Sequence, residues 1–356
     1  MNRLILKIAL LPLTILLLNG CSSTPVAKFE KTTTYKPSVL KQPVKVHKRY
    51  APASYSGVFP KPAELEPTVT FWRNTYAVWQ RSQVAYHDNR FMDVVYEVIT
   101  LPGYVAEGLT SEQKKVMSAR RDYWQTKILT LEHKLRYKAP LDAHDRQIIA
   151  KIGSTGRPVN TVLSGASERV RSQRGTRERF KRGLEISGRY NLQFRKIFRD
   201  AGLPEELAYL PHVESSFQPA ARSSAGAVGM WQFTKGAAQT FMPGRNVVDR
   251  RLDPVASANG AANYLTYAYK KLGNWPTALT SYNHGIGGMS RAQKHMGSDF
   301  VRIVNQYDGP AFGFASRNYY AQFLAAREIA NNTRAFFPEG VRYEAAINRG
   351  QYLAAE

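Results

Sequence analysis

Leu207-Ala208-Tyr209-Leu210-Pro211-His212-Val213-Glu214-Ser215-Ser216-Phe217 sets one carboxylate among apolar and aromatic neighbours on a stretch of helical pattern. Pro211 must kink or restart that helix, because it has no backbone N–H to contribute and its ring clashes with the preceding turn. Glu214 stands between Val213 and Phe217, where lost solvation raises a carboxyl pKa toward about 6 and makes the group a usable acid near neutral pH. Taken alone, the stretch also describes a surface glutamate on an amphipathic helix, so its surroundings decide its meaning. Upstream, Tyr190, Phe194 and Ile197 recur at i, i+4 and i+7, a buried helical stripe. Gly202 stops that helix and Pro204 starts the next. Downstream, residues 257–272 form a helix closed by Gly273, and residues 317–331 form another. Strand signals are weak throughout and no repeat is present, so the fold class is all-α.

The pattern is also helical towards the N-terminus. Thr110 and Gln113 have the spacing of a capping box and open a helix running through Trp124, Ile128, Leu131 and Leu135. Pro140 ends it, and residues 142–152 make a further short helix. The basic stretch Arg169, Arg171, Arg174, Arg177, Arg179, Lys181 and Arg182 reads as a solvated helical face in preference to a dedicated binding patch.

Two further segments crowd small, polar and aromatic residues in a way core packing does not require. In Ala225-Gly226-Ala227-Val228-Gly229-Met230-Trp231-Gln232-Phe233 the glycines let backbone approach a ligand closely. Gln232 offers both a donor and an acceptor, which suits hydroxyl and acetamido groups. Trp231 and Phe233 either stack on a ligand or fill the core. Trp275-Pro276-Thr277-Ala278-Leu279-Thr280-Ser281-Tyr282-Asn283-His284-Gly285 is a short helix ending in a polar turn, with Tyr282 and Asn283 placed to face a cleft. His212, His284 and His295 form no metal-ligand pattern and no cysteine joins them, so neither a metal site nor a cofactor is expected.

The chain has 356 residues, enough for one or two domains with appendages. Its 50 Lys and Arg against 27 Asp and Glu give a net charge of +23, which calls for an anionic surrounding: nucleic acid, anionic lipid or an acidic polymer. Nucleic acid is set aside, because no helix-turn-helix, RNA-binding or zinc-finger signature appears and the N-terminus is of exported type. Arg3 and Lys7 precede an apolar run from Ile8 to Leu18 that is too short to stay across a bilayer. It ends in Leu18-Asn19-Gly20-Cys21, which resembles a bacterial lipobox. Cys21 is the only cysteine in the chain, and an odd thiol in an exported protein needs a purpose; lipidation supplies one. With Ser22 and Ser23 following, the expected location is the periplasmic face of the outer membrane. The proline-punctuated basic stretch after Cys21 reads as a disordered, self-repelling tether.

Glu214-Ser215-x-Phe217, Gly229-Met230-Trp231-Gln232, Ser281-Tyr282-Asn283 and Arg317-Asn318-Tyr319 fall in the order and rough spacing of the soluble-lytic-transglycosylase-like (goose-lysozyme-like) catalytic domain. The stretch 202–326 resembles that family, nearest its membrane-bound lipoprotein members. The resemblance implies a lysozyme-like helical domain that cleaves peptidoglycan glycan strands between N-acetylmuramic acid and N-acetylglucosamine without water, leaving 1,6-anhydro ends. Glu214 would be the acid and then the base, Ser215 and Gln232 would orient the sugar, and Tyr282, Asn283 and Tyr319 would hold the acetamido group and Glu214. Most glycosidases pair two carboxylates about 5 to 9.5 Å apart. Glu206 would lie about 12 Å from Glu214 along a straight helix, and Asp249 and Asp253, beside Arg250 and Arg251, read as ion pairs or caps. One acid without a partner fits the transglycosylase. The alternatives are a lysozyme-like hydrolase, with Asp249 to hold a water, and a non-catalytic wall-binding lipoprotein.

The expected organisation is a signal peptide over 1–20, the tether over 21–62, a helical N-terminal region over 63–185, the catalytic domain over 186–335 and a tail over 336–356. Wall contact would come from the site, the lipid anchor and the positive charge. The sequence identifies no protein partner.

Overall fold

A computed structural model describes residues 57–242 and 249–347. The expected signal peptide, Cys21 and most of the tether lie outside the described residues. Residues 57–62, placed in the tether by the sequence, pack with the folded part. Phe59 is fully buried between Phe323 and Trp275, with ring centroids 5.1 and 5.7 Å away, and Tyr320 Oη donates to the Pro60 carbonyl at 2.8 Å.

Helices dominate. Those before the Glu214 segment are α1 (Glu66–Arg73), α2 (Ser111–Arg136), α3 (Ala143–Gly153), α4 (Val159–Leu163), α5 (Ala166–Arg169) and α6 (Arg177–Asp200). Glu214 ends α7 (Leu210–Glu214), and α8 (Lys235–Phe241), α9 (Pro254–Leu272), α10 (Trp275–His284), α11 (Ile286–Met296), α12 (Phe300–Gln306), α13 (Phe314–Asn331) and α14 (Thr333–Phe336) follow. Local signals set several of these ends. The Thr110 side chain accepts from Gln113 N while Gln113 Oε1 accepts from Thr110 N, both at 3.2 Å, closing the capping box of α2. Asp142 caps α3 in the same way. Asp253 accepts from the N–H groups of Val255 and Ala256 at the start of α9, and Gly273 ends that helix at φ 77°.

A small sheet interrupts the helices. Strand β1 (Gln83–Asp88) pairs antiparallel with both β2 (Val95–Thr100) and β3 (Val170–Arg174), in the order β2-β1-β3. Its residues carry weak strand signals for physical reasons. From Val84 to Asp88 β1 is buried on both faces, so polarity does not alternate, and β3 is the polar run Val-Arg-Ser-Gln-Arg. The sheet packs on α2 and α3 around Val84, Tyr86, Tyr96, Trp124, Ile128, Leu131, Ile148 and Ile152.

A second, larger core gathers α6, α9, α10 and α13. The segment from Phe59 to Ala77 belongs to this core and not to the one under the sheet. The division expected between residues 185 and 186 falls inside α6, which runs unbroken across it. The expected tail also begins later, since Phe337 is fully buried and the N–H groups of Glu344 and Ile347 donate to the carbonyls of Glu185 and Arg189 on α6.

The basic stretch is not a solvated helical face. It runs through the end of α5, β3 and the start of α6, and its guanidinium groups tie segments together. Arg169 pairs with buried Asp88 at 2.9 Å. Arg174 donates to the Glu107 carbonyl at 2.7 Å, and Arg177 bonds the Phe336 carbonyl at 3.0 Å and Glu339 at 2.8 Å.

Candidate active site

A 3₁₀ turn over Glu205–Tyr209 passes into the five-residue α7 at Leu210, and Pro211 restarts the helix in its first turn, where a missing N–H does no harm. The backbone then leaves the helical region. Ser216 and Phe217 sit at φ 54° and 57°, left-handed values uncommon for residues with a side chain. This double twist returns Phe217 to the core, where it packs on His212 at 4.4 Å, and leaves Glu214 half-buried at the helix end.

Burial pushes the Glu214 carboxyl up to about 7, with a hydrogen bond from Tyr319 opposing the rise. The Tyr319 hydroxyl donates to Glu214 Oε1. Tyr319 is itself buried, and loss of solvation together with the Glu214 charge holds its own pKa well above the usual range. Tyr282 also feels that charge, and its hydroxyl donates to the Trp231 carbonyl at 2.9 Å. Among the described residues no second carboxylate is close enough to shift Glu214.

Ser215 does not reach toward a ligand. Its hydroxyl is buried and donates to the Met230 carbonyl at 2.8 Å, so it joins the turn after Glu214 to the Gly229–Phe233 segment instead of orienting a sugar. Gln232 sits at φ 50° and its amide nitrogen donates to the Gly229 carbonyl at 2.8 Å and that of Ala221 at 3.2 Å. Asn283 is exposed at the end of α10, with its oxygen accepting from Ser316 Oγ at 2.8 Å. Trp231 and Phe233 are core.

The expectation that Gly229 admits a ligand is corrected too. At φ 81°, a Cβ there would stand 2.0 Å from the Arg251 carbonyl oxygen, so the close approach is to the chain itself. Arg251 holds this loop by donating to the carbonyls of Gly226 at 3.1 Å and Phe233 at 3.2 Å, and pairs with Asp249 at 2.6 Å. The pairing brings the exposed Asp249 carboxyl down to about 2. Asp249 also accepts from Arg251 N at 3.2 Å. It is a cap and an ion-pair partner.

The imidazole of His212 lies between Phe180, stacked at 5.0 Å, and Phe217, and burial lowers its pKa to about 3. It is therefore neutral at working pH and packs as a ring. Sequence reasoning missed two contributors. Gly183 on α6 lets the Ser216 backbone pass, and Tyr76, on a single turn of π-helix over Asn74–Val78, stacks on Phe180 within reach of the Glu214 charge. A glycine within a helix and an aromatic preceding a strand carry no signal that ties them to Glu214.

Fold and site together define a helical domain built around one half-buried acid of raised pKa, held by a phenol. Residues 193–300 match the Transglycosylase SLT domain. Glu214, Gln232, Tyr282 and Asn283 fall within the match, and Tyr319 lies beyond it. The chain is 31% identical over 149 residues to membrane-bound lytic murein transglycosylase D of Escherichia coli K12, which is 39% of this chain and 30% of that protein. It is 31% identical over 147 residues to membrane-bound lytic murein transglycosylase F of Aeromonas salmonicida, covering 37% of this chain and 29% of that one. The alignments thus span less than a third of either relative. The 70 kDa soluble lytic transglycosylase SLT70 of Escherichia coli superposes on 66% of this chain and 37% of its own, at 20% identity and a TM-score of 0.36.

Proposed function

We propose that this chain is a lytic transglycosylase that cleaves peptidoglycan glycan strands with Glu214 as its single acid and base. The observation that carries the reading is a carboxyl raised to about 7, gripped by Tyr319 and without a second carboxylate near it among the described residues. Near neutral pH such a group can both donate and accept a proton. Glu214 protonates the oxygen linking N-acetylmuramic acid to N-acetylglucosamine as the bond from C1 to that oxygen breaks. The muramic acetamido group stabilises the positive charge at C1, which replaces the second carboxylate of a retaining glycosidase. The muramic 6-hydroxyl oxygen then bonds to C1 and its proton passes to Glu214, which restores the acid. Tyr319 keeps Oε1 fixed, and Asn283 offers its amide N–H groups to the acetamido carbonyl. Mass analysis of digested sacculi tests the reading, because anhydro and reducing ends differ by one water. Reducing ends as the main product would replace it with a hydrolase.

The hydrolase reading would require a carboxylate to hold water, and Asp249 is its candidate. Asp249→Asn should lose only the pair with Arg251 and part of the cap. For a pair whose carboxylate is half-exposed this is about 0 to 1 kcal/mol, with anhydro ends still formed at a rate within about tenfold of wild type per folded molecule. A variant that stays folded yet makes no product would favour the hydrolase.

For localisation, we propose lipid attachment at Cys21 and residence on the periplasmic face of the outer membrane. The support is the apolar run, the lipobox pattern and the single cysteine. No helix among the described residues is long and apolar enough to cross a membrane. Cys21→Ala should leave the chain unprocessed or soluble in the periplasm, with unchanged activity of the folded part in vitro. Labelling with a fatty-acid analogue followed by membrane fractionation reads this out, and lipid on the alanine variant would rule out the anchor.

A further inference from the structure

The segment just before the sheet packs against residues that neighbour Glu214 and Tyr319 along the chain. Tyr76 is 8% exposed and lies on the π-helical turn Asn74–Val78; single π turns inside helical runs are frequent at functional sites. One side of its ring stacks on Phe180 at 4.9 Å and 21°, and Phe180 in turn stacks on His212, two residues before Glu214. Tyr76 also packs on Trp72 at 5.6 Å, and Trp72 Nε1 donates at 2.8 Å to Asn318 Oδ1, next to Tyr319. Both links to the site are buried and aromatic, so the ring has little freedom to turn away. The charge of Glu214 adds to burial in raising the Tyr76 pKa, which places the two groups within electrostatic reach.

The three phenols around Glu214 differ in what their hydroxyls do. Tyr319 donates to Glu214 and Tyr282 to a backbone carbonyl, whereas Tyr76 makes no hydrogen bond to the described residues. A phenol this deep normally finds a partner. The residue keeps a small exposed fraction, and its hydroxyl is not fully enclosed by the described residues.

We propose that Tyr76 is a substrate-contacting residue of the Glu214 site: its hydroxyl donates to the sugar bound at Glu214, and the segment 59–78 forms a wall of the active site. The proposal rests on the glycan-cleaving reading given above. It extends the site beyond the matched domain, since Tyr76 lies more than a hundred residues before residue 193.

The test uses the full chain and glycan oligosaccharides of N-acetylglucosamine and N-acetylmuramic acid. Binding is measured by calorimetry to Glu214→Gln and to Glu214→Gln combined with Tyr76→Phe, and turnover is measured on the single Tyr76→Phe variant. Losing one hydrogen bond to the sugar should weaken oligosaccharide binding about three- to tenfold, with an unchanged melting temperature. Turnover should fall at least as much, with the pH at which activity is lost unmoved. Unchanged affinity would overturn the proposal. So would a shifted pH limit at unchanged affinity, which would mean that Tyr76 acts on Glu214 instead. If Glu214→Gln binds no glycan at all, the underlying reading fails and not the placement of Tyr76.

Discussion

Glu214→Gln should abolish glycan cleavage, lowering turnover at least about a thousandfold, while the fold and glycan binding survive. The amide keeps the shape of the side chain and can still accept the Tyr319 hydroxyl, but its N–H protons are far too weakly acidic to be given to the leaving oxygen. Release of soluble muropeptides from purified sacculi measures this, and appreciable residual turnover would remove Glu214 from its role. The same substitution has a stability signature. With its carboxyl raised from 4.5 to about 7, the folded state holds a proton between those values that the unfolded state has released. Stability therefore falls as pH rises through that window, and above it the full penalty of a buried charge applies. Replacing Glu214 by Gln removes the penalty, so the variant should be more stable than wild type at pH 8 by on the order of 1 to 3 kcal/mol and equal to it near pH 4. Melting temperatures at the two pH values test the sign. In wild type, the need for a protonated acid predicts that activity falls as pH rises above about 7.

Gly183→Ala should damage both stability and rate, although alanine is the better helix former. A Cβ at Gly183 would stand 2.7 Å from the Ser216 carbonyl oxygen and 3.0 Å from its carbon. Both are backbone atoms and cannot rotate aside. Overpacking of this kind costs about 1 to 3 kcal/mol, against roughly 0.5 to 1 kcal/mol gained from helix propensity. A net loss and a lower melting temperature are expected. The displaced turn begins one residue after Glu214, and Ser216 and Phe217 already hold left-handed backbone angles. A shift of about 1 Å at a reacting group can lower rate a hundredfold, so turnover per folded molecule should fall by ten- to a hundredfold. A variant with raised melting temperature and full activity would show that α6 and the turn have room between them.

The acid itself was legible in the sequence because its environment is local. Val213 and Phe217 flank Glu214, and Pro211 marks where the helix restarts. The helix ends at Thr110, Asp142, Gly202 and Gly273 were legible for the same reason, since each cap involves residues three or four apart. The sheet was not, because β1 is buried on both faces and β3 is polar, so neither shows alternation. Nor was the roll of Ser215, whose hydroxyl meets Met230 fifteen residues away, or the role of Gly229, whose missing side chain makes room for Arg251.

Sequence alone determined a helical protein with one desolvated carboxylate, because helix periodicity, capping and the flanks of Glu214 act over a few residues. Only the tertiary structure decided which groups surround that carboxylate. Tyr319 reaches it across 105 residues and Lys61 reaches Glu328 across 267. Such pairs exist only once α1, α6 and α13 share a core, since it is burial of their apolar faces, not any spacing along the chain, that brings Tyr319 to the acid and Gly183 to the turn behind it.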